Sequence, residues 1–326
     1  MKILFIYRNP NMGFSVGKVF KPIEEEMRKY AEVDELTLPI ANYSLKGLWT
    51  NISFMRKHLK NSKYDAVLIT GTENYLLPFI QSAKKLVVVH DVKSFFNNVL
   101  GLKRKLKELL FIKVLSRADK IISISEQTQD ELQKYGFKSD VIYNPVSPTF
   151  TFVPKDMNEE NPTILHVGTK PNKNLKNTIL ALKGIPCHLR IVGILSKEDL
   201  LLLDNNQIDY SSCANISDED LLEEYRKCDI VNFPSLYEGF GMPIIEGQAT
   251  GRVVVTSNLS PMKDVADNSA VLVNPEDVSS IKEGYEEAIA KSSFYVEKGK
   301  KNVDRFSVEM ITKRYFNLIN LSFASE

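Results

Sequence analysis

The sequence has little cysteine, no long apolar run and almost no net charge. Its three cysteines, Cys187, Cys213 and Cys228, form no CxxC pair and stand in no histidine cluster. This argues against a disulfide framework and a zinc site, and favours the reducing cytosol as the location. No stretch approaches the roughly 18 uninterrupted apolar residues of a membrane-spanning helix, so any membrane contact is expected to be peripheral.

The net charge of +1 is an average over two unlike halves. Residues 1–150 contain 23 Lys and Arg against 15 Asp and Glu, whereas residues 151–326 contain 19 against 26. The positive half has a basic segment, Lys103–Lys120, in which Leu102, Leu106, Leu109 and Leu110 recur at helical spacing. We interpret this segment as an amphipathic helix with a cationic face, which either packs on a sheet or contacts an anionic acceptor or membrane. No nucleic-acid recognition module is present, and aromatic residues do not interleave with the basic run.

Short apolar runs alternate with amphipathic stretches along the whole chain, which predicts parallel α/β sheets. Helices are expected at Lys18–Tyr30, Phe95–Ser116 and Ser307–Phe323, where Met310, Ile311, Tyr315 and Leu318 form an apolar face. Four prolines between Asn144 and Pro162 predict a linker between two Rossmann-like domains, 1–150 and 151–305. Two such sheets facing each other would place ligands in a cleft at the carboxyl ends of their strands. The predicted strands are Lys2–Tyr7, Val33–Leu38, Ala66–Thr70, Leu86–Val89, Lys120–Ile124, Val141–Tyr143, Thr163–Val167, Leu189–Val192, Asp229–Phe233, Arg252–Thr256 and Ala270–Val273.

The stretch DIVNFPSLYEGFGMPIIE, residues 229–246, carries the clearest chemical signal. A strand leads into a glycine-containing loop, and Pro243 can open the helix that follows. Glycines let backbone N–H groups approach a ligand, and a helix start favours anions. Carboxylates do not bind phosphate but accept hydrogen bonds from sugar hydroxyls, so a bound nucleotide sugar would explain Glu238, Glu246 and the anion-binding loop together. The alternative is a plain strand-to-helix turn with one surface glutamate and one that stabilises the helix dipole.

This motif resembles the signature of glycosyltransferase family 4, whose members have the GT-B architecture. ILHVGTKPNKN at 164–174, SDEDLLEEYRKCDIVNFPS at 217–235 and VVVTSNLSPMKDVADNSAVLVNPED at 253–277 resemble further parts of the donor domain. KIISISEQTQDELQKYG at 120–136 and VIYNPV at 141–146 resemble the end of the acceptor domain. The resemblance implies acceptor binding by residues 1–150, donor binding by residues 151–305, and a final helix, 306–326, that crosses back to the first domain.

The resemblance also implies roles for individual residues. Glu238 would bind donor-sugar hydroxyls, Glu246 the ribose hydroxyls, and Lys173 the diphosphate whose charge builds on the leaving group. Where the family has an arginine, this chain offers only Lys170 and Asn172 as polar side chains. Lys170 is the candidate substitute, although a lysine cannot reproduce the bidentate fork of arginine. The loop residues Gly239, Phe240 and Gly241 would contribute to donor binding, the last two through backbone N–H groups.

In the first domain, the resemblance places a histidine beside the donor sugar, and His90 occupies that position at the end of a strand. Asp91 follows it without a clear assignment. The loop RNPNMGFSVG, residues 8–17, would contact phosphate and acceptor through the backbones of Gly13 and Gly17. The same string faintly resembles a Walker loop, but Val19 stands where Ser or Thr must bind magnesium.

We therefore predict a cytoplasmic, retaining GT-B glycosyltransferase, with His90, Glu238 and Lys173 as catalytic residues. It would use a nucleoside-diphosphate sugar, a glycan or lipid-linked acceptor, and neither cofactor nor metal. Asp218-Glu219-Asp220 fits an Asp-x-Asp metal motif only formally, because Ser217 before it indicates a helix cap. The alternatives are another GT-B enzyme, such as a sugar-nucleotide epimerase, and a non-catalytic nucleotide-sugar binding protein.

Overall fold

The computed structural model describes residues 1–13, 15–81, 83–93 and 101–324. The chain divides into two compact units. The first consists of Met1–Ser147 together with the C-terminal segment that begins at Val308, and the second is Pro148–Ser307. The predicted boundary at 150/151 thus lies three residues late. Residues after Pro148 belong to the second unit: the Val153 N–H donates to the Thr250 carbonyl (3.3 Å) and Phe150 contacts Tyr225 edge to face (5.4 Å).

The first unit contains a six-stranded sheet, and every pair of neighbouring strands is parallel. Its strand order is β2-β1-β3-β4-β5-β6. β3 is buried along its whole length, and β1, β4 and β5 are buried except at their first one or two residues, as expected for parallel strands covered on both faces. The elements are β1 (Lys2–Tyr7), α1 (Ser15–Met27), β2 (Glu32–Thr37), α2 (Leu45–Asn61), β3 (Ala66–Ile69), β4 (Lys84–Val89), α3 (Gly101–Phe111), β5 (Lys120–Ser123), α4 (Glu126–Gln133) and β6 (Asp140–Val141).

The second unit repeats this architecture. Its six parallel strands have the order β12-β11-β10-β7-β8-β9. Its elements are β7 (Thr163–Val167), α5 (Leu175–Leu182), β8 (His188–Val192), α6 (Lys197–Asn205), β9 (Tyr210–Cys213), α7 (Asp218–Lys227), β10 (Ile230–Phe233), α8 (Met242–Ala249), β11 (Val253–Ser257), α9 (Met262–Ala266), β12 (Val271–Val273), α10 (Val278–Ala290) and α11 (Ser292–Val303).

The last helix, α12 (Val308–Ala324), belongs to the first unit, where it packs against α1. Ile311, Tyr315 and Leu318 are buried as predicted, whereas Met310 is 43% exposed. Thr312 and Ile319 are buried instead, so the buried face of the helix is rotated away from Met310. Within the described ranges, no helix is both long enough and apolar enough to cross a bilayer.

The basic segment Lys103–Lys120 is not one helix. α3 ends at Phe111, a 3-10 helix covers Lys113–Arg117, and β5 begins at Lys120. The start of the predicted helix at Phe95 lies outside the described residues. Leu106 and Leu109, predicted on the apolar face, are 51% and 56% exposed. Leu110, also predicted on that face, does pack against the core, as does Phe111 at the helix end, while the side chain of Leu102 lies outside what the structure describes.

Candidate functional site

The loop between β10 and α8 has the geometry of an anion-binding helix start. Gly241 caps α8 with φ +119°, a conformation in which a side chain would be strained, and Pro243 lies in the first helical positions. A Cβ on Gly241 would also approach Ile244 Cδ1 to 3.0 Å. Phe240 is buried and packs edge to face on Phe306, with ring centroids 6.0 Å apart. The Phe240 side chain therefore anchors the loop.

Glu238, in this loop, forms an ion pair with Lys173. Lys173 Nζ lies 2.8 Å from Glu238 Oε1, and both side chains are mostly buried. Asn172 Nδ2 donates to the same carboxylate oxygen at 3.1 Å and to the Tyr237 carbonyl at 3.0 Å. The two side chains predicted to bind sugar and diphosphate are thus brought together. Asn172, which the sequence offered only as a polar side chain at the position of the family's arginine, links the loop of Lys173 to the loop of Glu238.

The backbone conformation of the segment after β7 determines where the Lys173 side chain lies. Gly168 has φ +93°, and a Cβ there would lie 3.1 Å from Lys173 Cγ, so glycine leaves the space through which the lysine stem passes. A 3-10 helix, Pro171–Lys173, then directs the ammonium over the Phe233 ring, 4.6 Å from its centroid. Lys170 precedes this turn and is exposed, while Gly239 is half-buried in the facing loop.

Glu246 lies on α8, one turn beyond the helix start, and is half-buried. Its Oε2 accepts a hydrogen bond from the Tyr225 hydroxyl at 2.7 Å. Tyr225 is fully buried, and burial, with the negative charge of Glu246 added, raises the pKa of its hydroxyl well above the ordinary value. The tyrosine therefore remains a donor and fixes the carboxylate. The sequence did not indicate this role, because Tyr225 is an ordinary core residue of α7 in the helical pattern.

A buried polar network lies beneath Lys173. Asn232 on β10 donates to His166 Nδ1 (2.9 Å) and to Thr178 Oγ1 (3.0 Å), and accepts from the Tyr285 hydroxyl (2.9 Å). Burial, followed by the charge of Lys173, lowers the pKa of His166 to about 4. The imidazole is therefore neutral at physiological pH and adds no charge beside Lys173. Its only sequence signal was its position inside the strand ILHV.

In the first unit, the loop after β1 is short. A 3-10 helix covers Pro10–Met12, Gly13 follows with φ +113°, and Arg8 Nε donates to the Gly13 carbonyl at 3.2 Å. Phe14, in the predicted loop, lies outside the described residues. Gly17 is not in the loop but inside the first turn of α1, because the helix begins at Ser15. Its backbone N–H is nevertheless among the first four of the helix, which lack partners within the helix.

His90 follows β4, as predicted. Its Nε2 lies 2.7 Å from the Thr70 carbonyl oxygen, which can only accept, so Nε2 carries the proton and Nδ1 is an acceptor. Burial lowers the pKa of the imidazole to about 4, so it is neutral at physiological pH. Phe20 packs edge to face against the ring, with centroids 5.9 Å apart. Asp91 accepts the Lys93 N–H at 2.8 Å and forms a turn.

The same strand edge contains a buried carboxyl that the sequence did not single out. Glu73 follows β3 and is 1% exposed; Thr72 donates to its Oε1 at 3.3 Å, whereas Oε2 has no hydrogen-bond partner in the described part of the chain. Burial raises its pKa to about 7, opposed by the charge of Arg8. The possible signal was the polar sequence TGTEN directly after an apolar strand.

Asp218-Glu219-Asp220 forms the first turn of α7. Ser217 Oγ accepts the Asp220 N–H at 3.0 Å and the Asp220 carboxylate accepts from Ser217, which confirms the predicted capping box. Across the described residues, no group of three or more His, Cys, Asp or Glu side chains is arranged to hold a metal ion.

Comparison with known proteins agrees with this architecture. Residues 149–303 match the family of glycosyl transferases group 1, and residues 19–150 match Glycosyltransferase Family 4. The solved structure of sucrose-phosphate synthase from Thermosynechococcus elongatus superposes with a TM-score of 0.79 at 16% identity, covering 100% of both chains. That of HepE from Anabaena, in complex with UDP and glucose, gives 0.75 at 16% identity over 98% of this chain and 99% of that one.

Two curated relatives are mannosyltransferases by name. The serotype-specific mannosyltransferase WbdA of Escherichia coli is 28% identical over 39% of this chain, and the O-antigen chain mannosyltransferase RfbU of Salmonella typhimurium is 26% identical over 67%. The matched parts span 17% and 64% of those relatives' lengths. Because the two family matches together run from residue 19 to residue 303, the chain belongs to the glycosyltransferases of family 4 and group 1, with the GT-B fold.

Proposed function

We propose that this protein transfers a hexose, with mannose as the first candidate, from a nucleoside-diphosphate sugar to a hydroxyl of a glycan or lipid-linked acceptor. The observation that carries the proposal is the Lys173–Glu238 pair, 2.8 Å apart, beside the glycine-rich start of α8. A cation, backbone donors and a carboxylate together suit a sugar attached to a diphosphate. The choice of mannose comes from the named relatives RfbU and WbdA.

In this proposal, Lys173 stabilises the negative charge that develops on the leaving diphosphate. The start of α8 contributes backbone donors, Glu238 accepts from sugar hydroxyls, and Glu246, oriented by Tyr225, accepts from the ribose. The family resemblance supports retention of the anomeric configuration and transfer without a divalent metal. Because no side chain is assigned as a nucleophile, the anomeric outcome is a separate test of the mechanism.

On the acceptor side, we propose that His90 and the backbone around Gly13 and Gly17 contact acceptor or phosphate. Neutral His90 offers Nδ1 as an acceptor for a hydroxyl proton. The cationic segment Lys103–Lys120 would attract an anionic acceptor or lipid from the cytoplasmic side of a membrane. These assignments rest on the family resemblance and on charge.

The test begins with donor binding, because it needs no acceptor. A thermal-shift panel of UDP-, GDP-, ADP- and TDP-sugars identifies the donor, since a bound ligand raises the melting temperature. Release of nucleoside diphosphate is then measured with and without lipid-tagged mono- and disaccharides, and NMR of the product gives its anomeric configuration.

Acceptor-dependent release that falls about a hundredfold in Glu238→Gln supports the proposal. The control variant is Glu283→Gln, on the exposed side of α10. Conversion of the sugar with donor alone would indicate an epimerase. Donor binding without turnover on any acceptor would indicate a binding protein. An inverted product would contradict the retaining mechanism.

A further inference from the structure

Helix α2 of the first unit has an outward stripe of residues spaced by three and four. Leu45, Trp49, Ser53, Arg56 and Lys60 therefore lie on one side of the helix. Leu45 is 83% exposed and Trp49 is 62% exposed, although Trp49 is the chain's single tryptophan. The opposite side is buried in the unit's core. This stripe thus holds two large apolar side chains in solvent, and Phe54, outside the stripe, is a third exposed apolar side chain of the helix (41%).

The charge on α2 has one sign. Its 17 residues, LKGLWTNISFMRKHLKN, include Lys46, Arg56, Lys57 and Lys60 but no aspartate or glutamate. The last three of these cations line an open groove of about 560 Å³, together with Phe79 and Gln81. An apolar end is therefore followed along the same helix by a cationic groove of a size that accommodates a phosphate headgroup.

A neighbouring helix has the same character. α3 packs on the same hydrophobic core as α2 through Phe111, and Tyr43, just before α2, contacts Phe111 edge to face at 5.1 Å. Leu106 and Leu109 of α3 are more than half exposed beside Arg104 and Lys105. Two helices on one core thus both expose apolar side chains among cations.

This combination favours a lipid surface over a nucleic acid or a protein groove. Tryptophan and leucine insert at the boundary between headgroups and acyl chains, and lysine and arginine beside them hold anionic headgroups. Single-stranded nucleic acid requires several aromatic platforms along a cationic track, and α2 has one exposed ring in its stripe.

We propose that the outer face of α2 docks on an anionic phospholipid bilayer, with Leu45 and Trp49 in the headgroup–acyl boundary and Arg56, Lys57 and Lys60 on lipid phosphates. This inference deepens the proposed membrane-side acceptor chemistry. It requires no turnover, so its failure and a failure of the proposed transfer are distinguishable.

The experiment uses the full chain and vesicles of phosphatidylcholine, alone or mixed equally with phosphatidylglycerol. Trp49 is the built-in probe. Its emission should shift to shorter wavelength and become protected from acrylamide quenching with the mixed vesicles only, and added salt should reverse both effects. Unchanged emission from protein that sediments with the vesicles would place the contact elsewhere and overturn the proposal.

The variants Lys57→Glu/Lys60→Glu and Trp49→Ser should each weaken co-sedimentation with the mixed vesicles about tenfold or more. Matched controls on α11 are Lys298→Glu/Lys301→Glu and Phe294→Ser, which change equally exposed residues of the second unit and should leave binding unchanged. Donor binding, measured by thermal shift on all variants, shows that each is folded. Equal losses in both sets, or binding of an RNA oligonucleotide but of neither vesicle, would contradict the proposal.

Discussion

Lys173 and Glu238 form an ion pair in which Nζ and Oε1 are 2.8 Å apart. Each side chain is therefore occupied by the other, and in the proposed function a donor would have to compete for both. A diphosphate that binds Lys173 competes with Glu238 for the ammonium, and a sugar that donates to Glu238 competes with Lys173 for the carboxylate. A nucleotide sugar can compensate for the broken ion pair, because its diphosphate can bond to Lys173 while its sugar hydroxyls donate to Glu238.

This exchange predicts opposite effects on free nucleoside diphosphates, which lack the sugar. Glu238→Gln releases the ammonium, so calorimetry should give several-fold tighter binding of the preferred diphosphate, although transfer falls. Lys173→Met should weaken binding of the same diphosphate about tenfold or more. The control is Glu224→Gln, which breaks the Arg190 pair (2.7 Å) elsewhere in the unit and should change neither. Weaker diphosphate binding in Glu238→Gln would show that the pair does not restrain Lys173.

The Tyr225–Glu246 bond yields a second prediction. Tyr225→Phe removes the donor that orients Glu246, and should lower the free energy of unfolding by about 1 kcal/mol. It should also weaken nucleotide binding, because the carboxylate is no longer fixed toward the ribose. The matched control is Tyr7→Phe, which removes a tyrosine–glutamate bond of 2.8 Å to Glu24 in the first unit. The control should lose similar stability but bind nucleotide normally, as measured by urea unfolding and calorimetry.

A third prediction concerns Gly168. In Gly168→Ala, the alanine backbone is strained at φ +93°. The added Cβ also lies 3.1 Å from Lys173 Cγ and therefore displaces the lysine side chain. Both stability and diphosphate affinity should fall. Gly184→Ala is the comparison, since Gly184 also has positive φ (+79°) but no atom lies within 4 Å of its added Cβ. This control should lose roughly 1 kcal/mol of stability and no affinity. If both variants bound the diphosphate with equal affinity, the position of Lys173 would not depend on a glycine at residue 168.

Much of the fold follows from patterns that the sequence displays directly. The buried strands are runs rich in apolar and β-branched residues, so eleven of the twelve strands in the described residues can be located within two residues of their ends. β9, Tyr210–Cys213, was missed because it is polar and partly exposed at a sheet edge. β6 was placed late because it has only two residues, Asp140 and Val141, again at an edge. Edge strands lack the two-sided burial that produces an apolar run.

The site divides in a similar way. Glu238, Lys173 and Gly241 lie in loops whose unusual composition is visible in the sequence. Asn172, Tyr225 and His166 act through contacts across 21 to 66 positions of chain, and their residue types are ordinary in their elements. Leu106 and Leu109 were predicted on the apolar face of a helix but are exposed. Helical spacing predicts that they share one face of the helix, but not that another element packs against that face.

The last prediction concerns pH and His166. Its folded pKa of about 4 lies below its ordinary value of 6.5, because burial disfavours the charged ring. The unfolded chain therefore binds the proton more tightly, so this contribution to stability is fully present above about pH 6.5. It is lost as the pH falls toward 4, by up to about 3 kcal/mol. Burial also lowers the pKa of His90 to about 4 and raises that of Glu73 to about 7, so these groups add their own, opposite contributions over the same range. The contribution of His166 is therefore taken from the difference between wild type and His166→Gln in urea unfolding followed by circular dichroism. Between pH 7 and 4.5 that difference should shift in favour of the variant by up to about 3 kcal/mol. An unchanged slope in His166→Gln would show that this histidine is not held neutral by burial.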